Sequence, residues 1–220
     1  MDDAELRAEI CRVGRSLFER GFAHASAGNI SARLGDGFLI TATDACLGFL
    51  EPAAIARVDA AGDVHGPARP SKTLALHRRI YAEAPEAGAI VHTHAHALVA
   101  ASLAAPPGDD GADLLPPITP YFVMKVGHVP HIAYQRPGDP VAADRVAAAI
   151  ARGRAAGAPI RAVVLARLGP VVWHASPGEA MAVLEELEET ARLWQAADPK
   201  PAPLTAGQIE ELRAHFGARW

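Results

Sequence analysis

The sequence predicts an α/β protein of the α+β kind, in which mostly antiparallel strands and amphipathic helices share a single domain over residues 1–220. Three observations carry that expectation. Residues 26–66 alternate short apolar runs with Gly, Asp and Thr turns. The segments on either side of that region space their apolar residues as a helix does, and a short apolar strand, AIVHTH at 89–94, leads into another helical stretch.

The elements follow in order. Leu6, Ile10, Val13 and Leu17 lie four, three and four residues apart, so residues 3–20 form an amphipathic helix, capped by Asp2 or Asp3 and ended by Gly21. NISARL, FLIT, ARVDA and GDVHG, separated by the turns GDG and AAGD, read as an antiparallel meander. Ser71 is a candidate cap for a helix carrying Leu74, Leu76, His77, Ile80 and Tyr81, which stops before Pro85 and Gly88. Residues 95–104 are helical, and PPGDDGADLLPP at 106–117 is a polar, proline-bounded loop.

VGHVPHIAY at 126–134 reads as a strand kinked at Pro130, followed by a helix over 140–153 and strands at 161–166 and 170–175. A helix from Pro177 to Ala197 buries Met181, Leu184, Leu187 and Leu193, which leaves Glu185, Glu186, Glu188 and Glu189 for a solvated acidic face. After a Pro-Ala-Pro hinge, a helix at 206–216 lies in a C-terminal appendage spanning 203–220.

Composition excludes several function classes. The net charge is −4, from 21 Lys and Arg against 25 Asp and Glu, and no basic block is interleaved with aromatics, so nucleic acid is not an expected partner. No apolar run approaches the roughly 18 residues of a membrane span, and the acidic, amphipathic start is unlike a signal peptide, which points to the cytoplasm. Cys11 and Cys46 are too few for a disulfide framework and read as small buried apolar residues.

Chemistry is expected where histidines cluster. On an extended strand His92 and His94 project from one face, close enough to grip one ion. Catalytic zinc takes three protein ligands and keeps one position open, whereas imidazole also suits manganese or iron. By spacing alone, a metal site and a pair of satisfied structural histidines both stay open.

Five segments in a fixed order resolve this further: SAGNIS at 26–31, TATDACLG at 41–48, RPSKT at 69–73, HTH at 92–94 and LARLGPVV at 165–172. Their order and spacing resemble the class II aldolase/adducin family from about residue 5 to 195. ACLG, ITPYFVMKVG, YQRPGDP and EELEETA are most similar to the branch that decarboxylates phosphorylated 3-oxo-tetronates. The resemblance implies a three-layer fold, a central mostly antiparallel sheet flanked by helices, and a homotetramer with its sites between subunits.

It also implies roles. Ser26, Gly28, Asn29, Thr43, Ser71 and Lys72 match positions that hold a substrate phosphate, a sensible use of turn amides, hydroxyls and one ammonium. His92 and His94 match two of three histidines for a divalent metal, zinc first, manganese or iron otherwise. The third position holds Leu168, and the position of an acid/base glutamate holds Thr73, which exchanges no proton near neutral pH. His96, His128 and His131 are candidate replacement ligands, and Tyr121, Tyr134 and His128 are candidate acids for reprotonation.

The reading is therefore a metal-dependent carbon–carbon lyase that decarboxylates a small phosphorylated 3-oxo sugar acid. Leu168 and Thr73 keep two alternatives in view: a scaffold repurposed for other chemistry with weak metal or none, and a non-catalytic binding or assembly homologue.

Overall fold

Side chains on successive strand residues point to opposite faces, and that alternation builds two cores. A computed structural model describes residues 1–106 and 110–220 of the chain. In β1 (Asn29–Leu34), Ile30 and Ala32 enter one core; in β5 (Ala89–His92), Ala89 and Val91 join it while Ile90 enters the other. Strands β2 (Gly37–Thr41), β3 (Ile55–Val58) and β4 (Val64–His65) continue from β1 as the expected meander.

The sheet runs β4-β3-β2-β1-β5, then β8 (Gly169–His174), β7 (Ala162–Leu165) and β6 (His131–Ile132), and every pairing is antiparallel except β6 with β7. Helices cover both faces, giving the three layers that the resemblance implied. On one side lie α1 (Asp3–Glu19), α3 (His96–Ala104) and α5 (Pro177–Ala196); on the other lie α2 (Leu74–Glu83) and α4 (Pro140–Ala155). A capping box between Asp2 and Glu5 starts α1, whose buried stripe is Leu6, Ile10, Val13 and Leu17, each stabilising the domain by about 1.5–3 kcal/mol.

Several local expectations are corrected. Ser71 does not cap α2: the helix begins at Leu74 after Thr73, and the Ser71 hydroxyl instead lies 3.0 Å from the Thr73 hydroxyl. VGHVPHIAY is no continuous strand, because Phe122–Val126 winds as a π-helix that Gly127 ends at φ +81°, leaving only His131–Ile132 in the sheet. Leu193 is 47% exposed, whereas Glu188 is fully buried, so the acidic face of α5 is not wholly solvated. Cys11 and Cys46 are half-buried and free. Residues 107–109 of the proline-bounded loop lie outside the described residues.

The C-terminal segment folds back. Leu204 N–H donates to the Pro117 carbonyl, α6 (Ala206–Phe216) ends at Gly217 in the left-handed region, and the Trp220 ring packs on Phe122 and stacks on His128. Among the described residues no helix is long and apolar enough to cross a membrane.

Candidate functional site

Strand register lays the motifs side by side. Asn29 of β1 pairs with His92 of β5, and His92 pairs with Val171 of β8, so the Gly-Asn turn, the histidine pair and the β7–β8 hairpin meet at one end of the sheet. Two glycines permit that approach. Gly28, at φ +93°, brings its backbone so near β5 that a Cβ would meet the His92 carbonyl oxygen at 2.8 Å. Gly169, at φ +118°, would place a Cβ 2.5 Å from the Thr93 carbonyl oxygen.

A cavity of about 210 Å³ opens there. Ser26, Gly28, Asn29, Thr43, Ser71 and Lys72, the six positions expected to hold phosphate, all line it. Their loops are tied together by backbone: Thr43 N–H donates to the Arg69 carbonyl, and Ser71 N–H to that of Thr41. The Thr41 hydroxyl in turn accepts from Ile30 N–H at 3.1 Å. His92 and His94 border the same cavity, as do Thr73 and Leu168, the two positions that depart from the expected pattern.

Both imidazoles are held toward the neutral form. His92 Nδ1–H donates to the Pro170 carbonyl at 2.8 Å, which leaves the Nε2 lone pair free, and burial holds its pKa down at about 4. His94 is also lowered, first by burial and then by the charge of His24. The His92 and His94 ring centroids are 5.3 Å apart. The donor set nonetheless stops at two: among the described residues no three His, Cys, Asp or Glu side chains assemble into a group that could hold a metal ion. Leu168 borders the cavity and packs against the α2/α4 core, and the His24 ring, 6.2 Å from that of His94, is not among the residues that line it.

The proposed replacements are placed elsewhere in this chain. His96 is exposed at the first position of α3, because the backbone turns into the helix after Ala95 and carries the ring away from the strand face. His128 hydrogen-bonds Asp113 at 2.5 Å and stacks on Trp220, and His131 lines a separate cavity with Trp194 and Lys200. Tyr121 and Tyr134 are 62% and 56% exposed and line no part of the site cavity.

Besides Asp139, which caps α4 from the cavity wall, two charged residues that line the cavity were not singled out from the sequence. Arg136 lines the cavity from the turn before α4, bonded to Asp139 at 3.1 Å, and Asp44, at φ +59°, holds Lys72 Nζ at 3.2 Å. Both lie in segments quoted above, YQRPGDP and TATDACLG, but neither segment says which of its charges faces inward. His77, read as a packing residue, is completely buried behind Asn29 and hydrogen-bonded to it.

Known proteins resemble this chain in sequence and in fold. The chain is 53% identical to the 3-oxo-tetronate 4-phosphate decarboxylase of Cupriavidus necator, over 99% of both chains, and 40% identical to that of Escherichia coli K12, over 96% of this chain and 97% of the other. Its fold superposes on the crystal structure of YgbL from Klebsiella pneumoniae with a TM-score of 0.84 at 42% identity, covering 97% and 100% of the two chains. An L-fuculose 1-phosphate aldolase shares the fold at a TM-score of 0.81 and 21% identity, over 97% and 96%. With residues 8–195 matching the Class II Aldolase and Adducin N-terminal domain as well, the chain belongs to the class II aldolase and adducin family.

Proposed function

We propose that the protein is a lyase that decarboxylates 3-oxo-tetronate 4-phosphate, working in the cytoplasm as a homotetramer. One observation carries this reading: six positions suited to a phosphate and two neutral imidazoles converge on a single cavity, in a chain 53% identical to a decarboxylase of that name.

The substrate phosphate sits against the Gly28–Asn29 turn, the Thr43 and Ser71 hydroxyls and Lys72, where backbone amides and one ammonium offset its charge. That anchor directs the 3-oxo acid toward His92 and His94. His92 and His94 are the residues that would hold a divalent ion, zinc first, and such an ion supplies an electrophile for the charge that develops as carbon dioxide leaves. The carbon–carbon bond breaks with its electron pair moving toward the 3-oxo oxygen, so no carbon-bound proton is removed beforehand. Thr73 in place of a glutamate harms that chemistry less than an enolising one, which needs a base at carbon first. A proton must then return to carbon; Tyr121 and Tyr134 are exposed and line no part of this chain's cavity, so in this reading they would act only on the cavity of a neighbouring copy in the tetramer.

Release of carbon dioxide from chemically prepared 3-oxo-tetronate 4-phosphate, with and without added zinc or manganese, tests the reading. No release with any metal rejects it. Light scattering tests the tetramer, and a clean monomer rejects that assembly. A second reading rests on Leu168 and Thr73 lining the same cavity as His92 and His94: the same scaffold used for different chemistry with phosphate binding retained, which predicts inorganic phosphate binding without carbon dioxide release.

A further inference from the structure

Behind the cavity wall, four polar side chains form a buried file between β1 and α2. Ile30 and Ala32 take the opposite core, so Asn29 and Ser31 face α2, and His77 and Tyr81, one helical turn apart, face back. His77 Nε2 is 2.7 Å from Asn29 Oδ1, His77 Nδ1 is 2.7 Å from Ser31 Oγ, and Ser31 Oγ is 2.8 Å from the Tyr81 hydroxyl. Exposure is 0% at His77 and Ser31, 5% at Asn29 and 6% at Tyr81.

The file has a direction. Among the described residues the Tyr81 hydroxyl bonds only Ser31, so its hydrogen is satisfied only if it donates there. Ser31 then donates to His77 Nδ1, and His77 Nε2–H donates to Asn29 Oδ1. The opposite polarity strands the phenolic hydrogen in the core, at a cost of about 1–3 kcal/mol. His77 cannot escape the choice by taking a second proton, because burial and the neighbouring His92 hold its pKa at about 3.

With Oδ1 engaged as an acceptor, Asn29 has only its amide NH2 left for the cavity it lines, and that nitrogen has no partner among the described residues. We propose that the Tyr81–Ser31–His77 file fixes the Asn29 amide with its NH2 toward the cavity, making His77 a positioning residue for anion binding. An unconstrained asparagine could turn its oxygen toward the anion and repel it. The identity of the anion as substrate phosphate rests on the function proposed above; the orientation does not.

Two measurements on the full-length protein decide the matter. Nitrogen-15 NMR of the His77 ring should show the proton on Nε2 and a hydrogen-bonded, unprotonated Nδ1; the reverse tautomer overturns the proposal whether or not any variant folds. Titration with inorganic phosphate should show about a tenfold weaker Kd for His77→Leu, the loss of one charge-assisted hydrogen bond. His77→Gln, which keeps a donor near Nε2, should recover most of it. The pair Asn29→Ala with His77→Leu should bind no more weakly than Asn29→Ala alone, because His77 acts only through Asn29. Additive losses overturn the proposal. A wild-type protein that binds no phosphate rejects the phosphate reading of the cavity, while the tautomer still decides the orientation.

Discussion

The Glu188 carboxylate closes the N-terminus of the helix that follows the histidine strand, accepting Ala97 N–H at 2.9 Å with one oxygen and Leu98 N–H at 3.1 Å with the other. An anion at that helix end is favoured by the exposed amides and the helix dipole. The residue is fully buried on α5, 3.5 Å from Arg192 Nε, so it joins the α5 layer to the turn that carries His94.

Glu188→Ala leaves two helix-start amides without acceptors and should lower unfolding free energy by about 2–3 kcal/mol in urea denaturation. Glu188→Gln, which keeps one acceptor, should lose about half as much. Hydrogen exchange at Ala97 and Leu98 should accelerate in both variants; unchanged protection there would show that the carboxylate does not hold the helix start.

Stability should fall on the acid side through two buried imidazoles. His77 and His92 have folded-state pKa values of about 3 and about 4, against an ordinary 6.5, so below that value the unfolded chain takes up protons that the folded chain refuses. Their contribution is complete above pH 6.5 and is lost as pH falls toward 4, at up to about 1.4 kcal/mol per pH unit for each histidine. Urea midpoints of the wild type and His77→Gln between pH 7 and 4.5 isolate the His77 share: the variant should show a shallower fall, and parallel curves would rule it out.

Much of this fold is legible in sequence because burial follows period. Leu6, Ile10, Val13 and Leu17 announce α1, and the meander shows through its turns. The site was legible as a set of motifs in order, since each motif is local. What stayed hidden depends on partners distant in the chain. The His92 tautomer is set by a carbonyl 78 residues away, and Glu188 looked solvated because nothing on α5 announces the amides of Ala97 and Leu98. The file behind Asn29 does leave a trace: polar residues at 29 and 31 on a strand, and His and Tyr four apart on a helix. Only the packing of that helix on that strand brings the two pairs together.

Charge at the cavity mouth should be tunable. Asp44 holds Lys72 at 3.2 Å with both side chains more than 60% exposed, so the pair itself adds little stability. Asp44→Asn removes a carboxylate from the cavity wall and releases the ammonium, and should tighten inorganic phosphate about two- to fivefold at low salt, with the gain shrinking at high ionic strength. Arg136→Ala should weaken it in the same titration. No response to either substitution would place the anion away from this mouth.

Metal binding offers the sharpest contrast, because the cavity presents two histidines, whereas a catalytic zinc takes three protein ligands. His92 and His94 alone should bind zinc weakly, and His92→Ala with His94→Ala should abolish what binding there is. Leu168 and Thr73 border the same cavity, so Leu168→His adds an imidazole and Thr73→Glu a carboxylate to its lining. We expect that double variant to bind zinc at least about tenfold more tightly by calorimetry, since each added ligand contributes without moving the first two. The gain should vanish when His92 is also replaced by alanine, which separates a completed site from adventitious binding at the new side chains. A folded double variant with unchanged affinity would show that positions 73 and 168 do not converge on the ion, and the two-histidine pair would then have to find its remaining ligands in substrate or solvent.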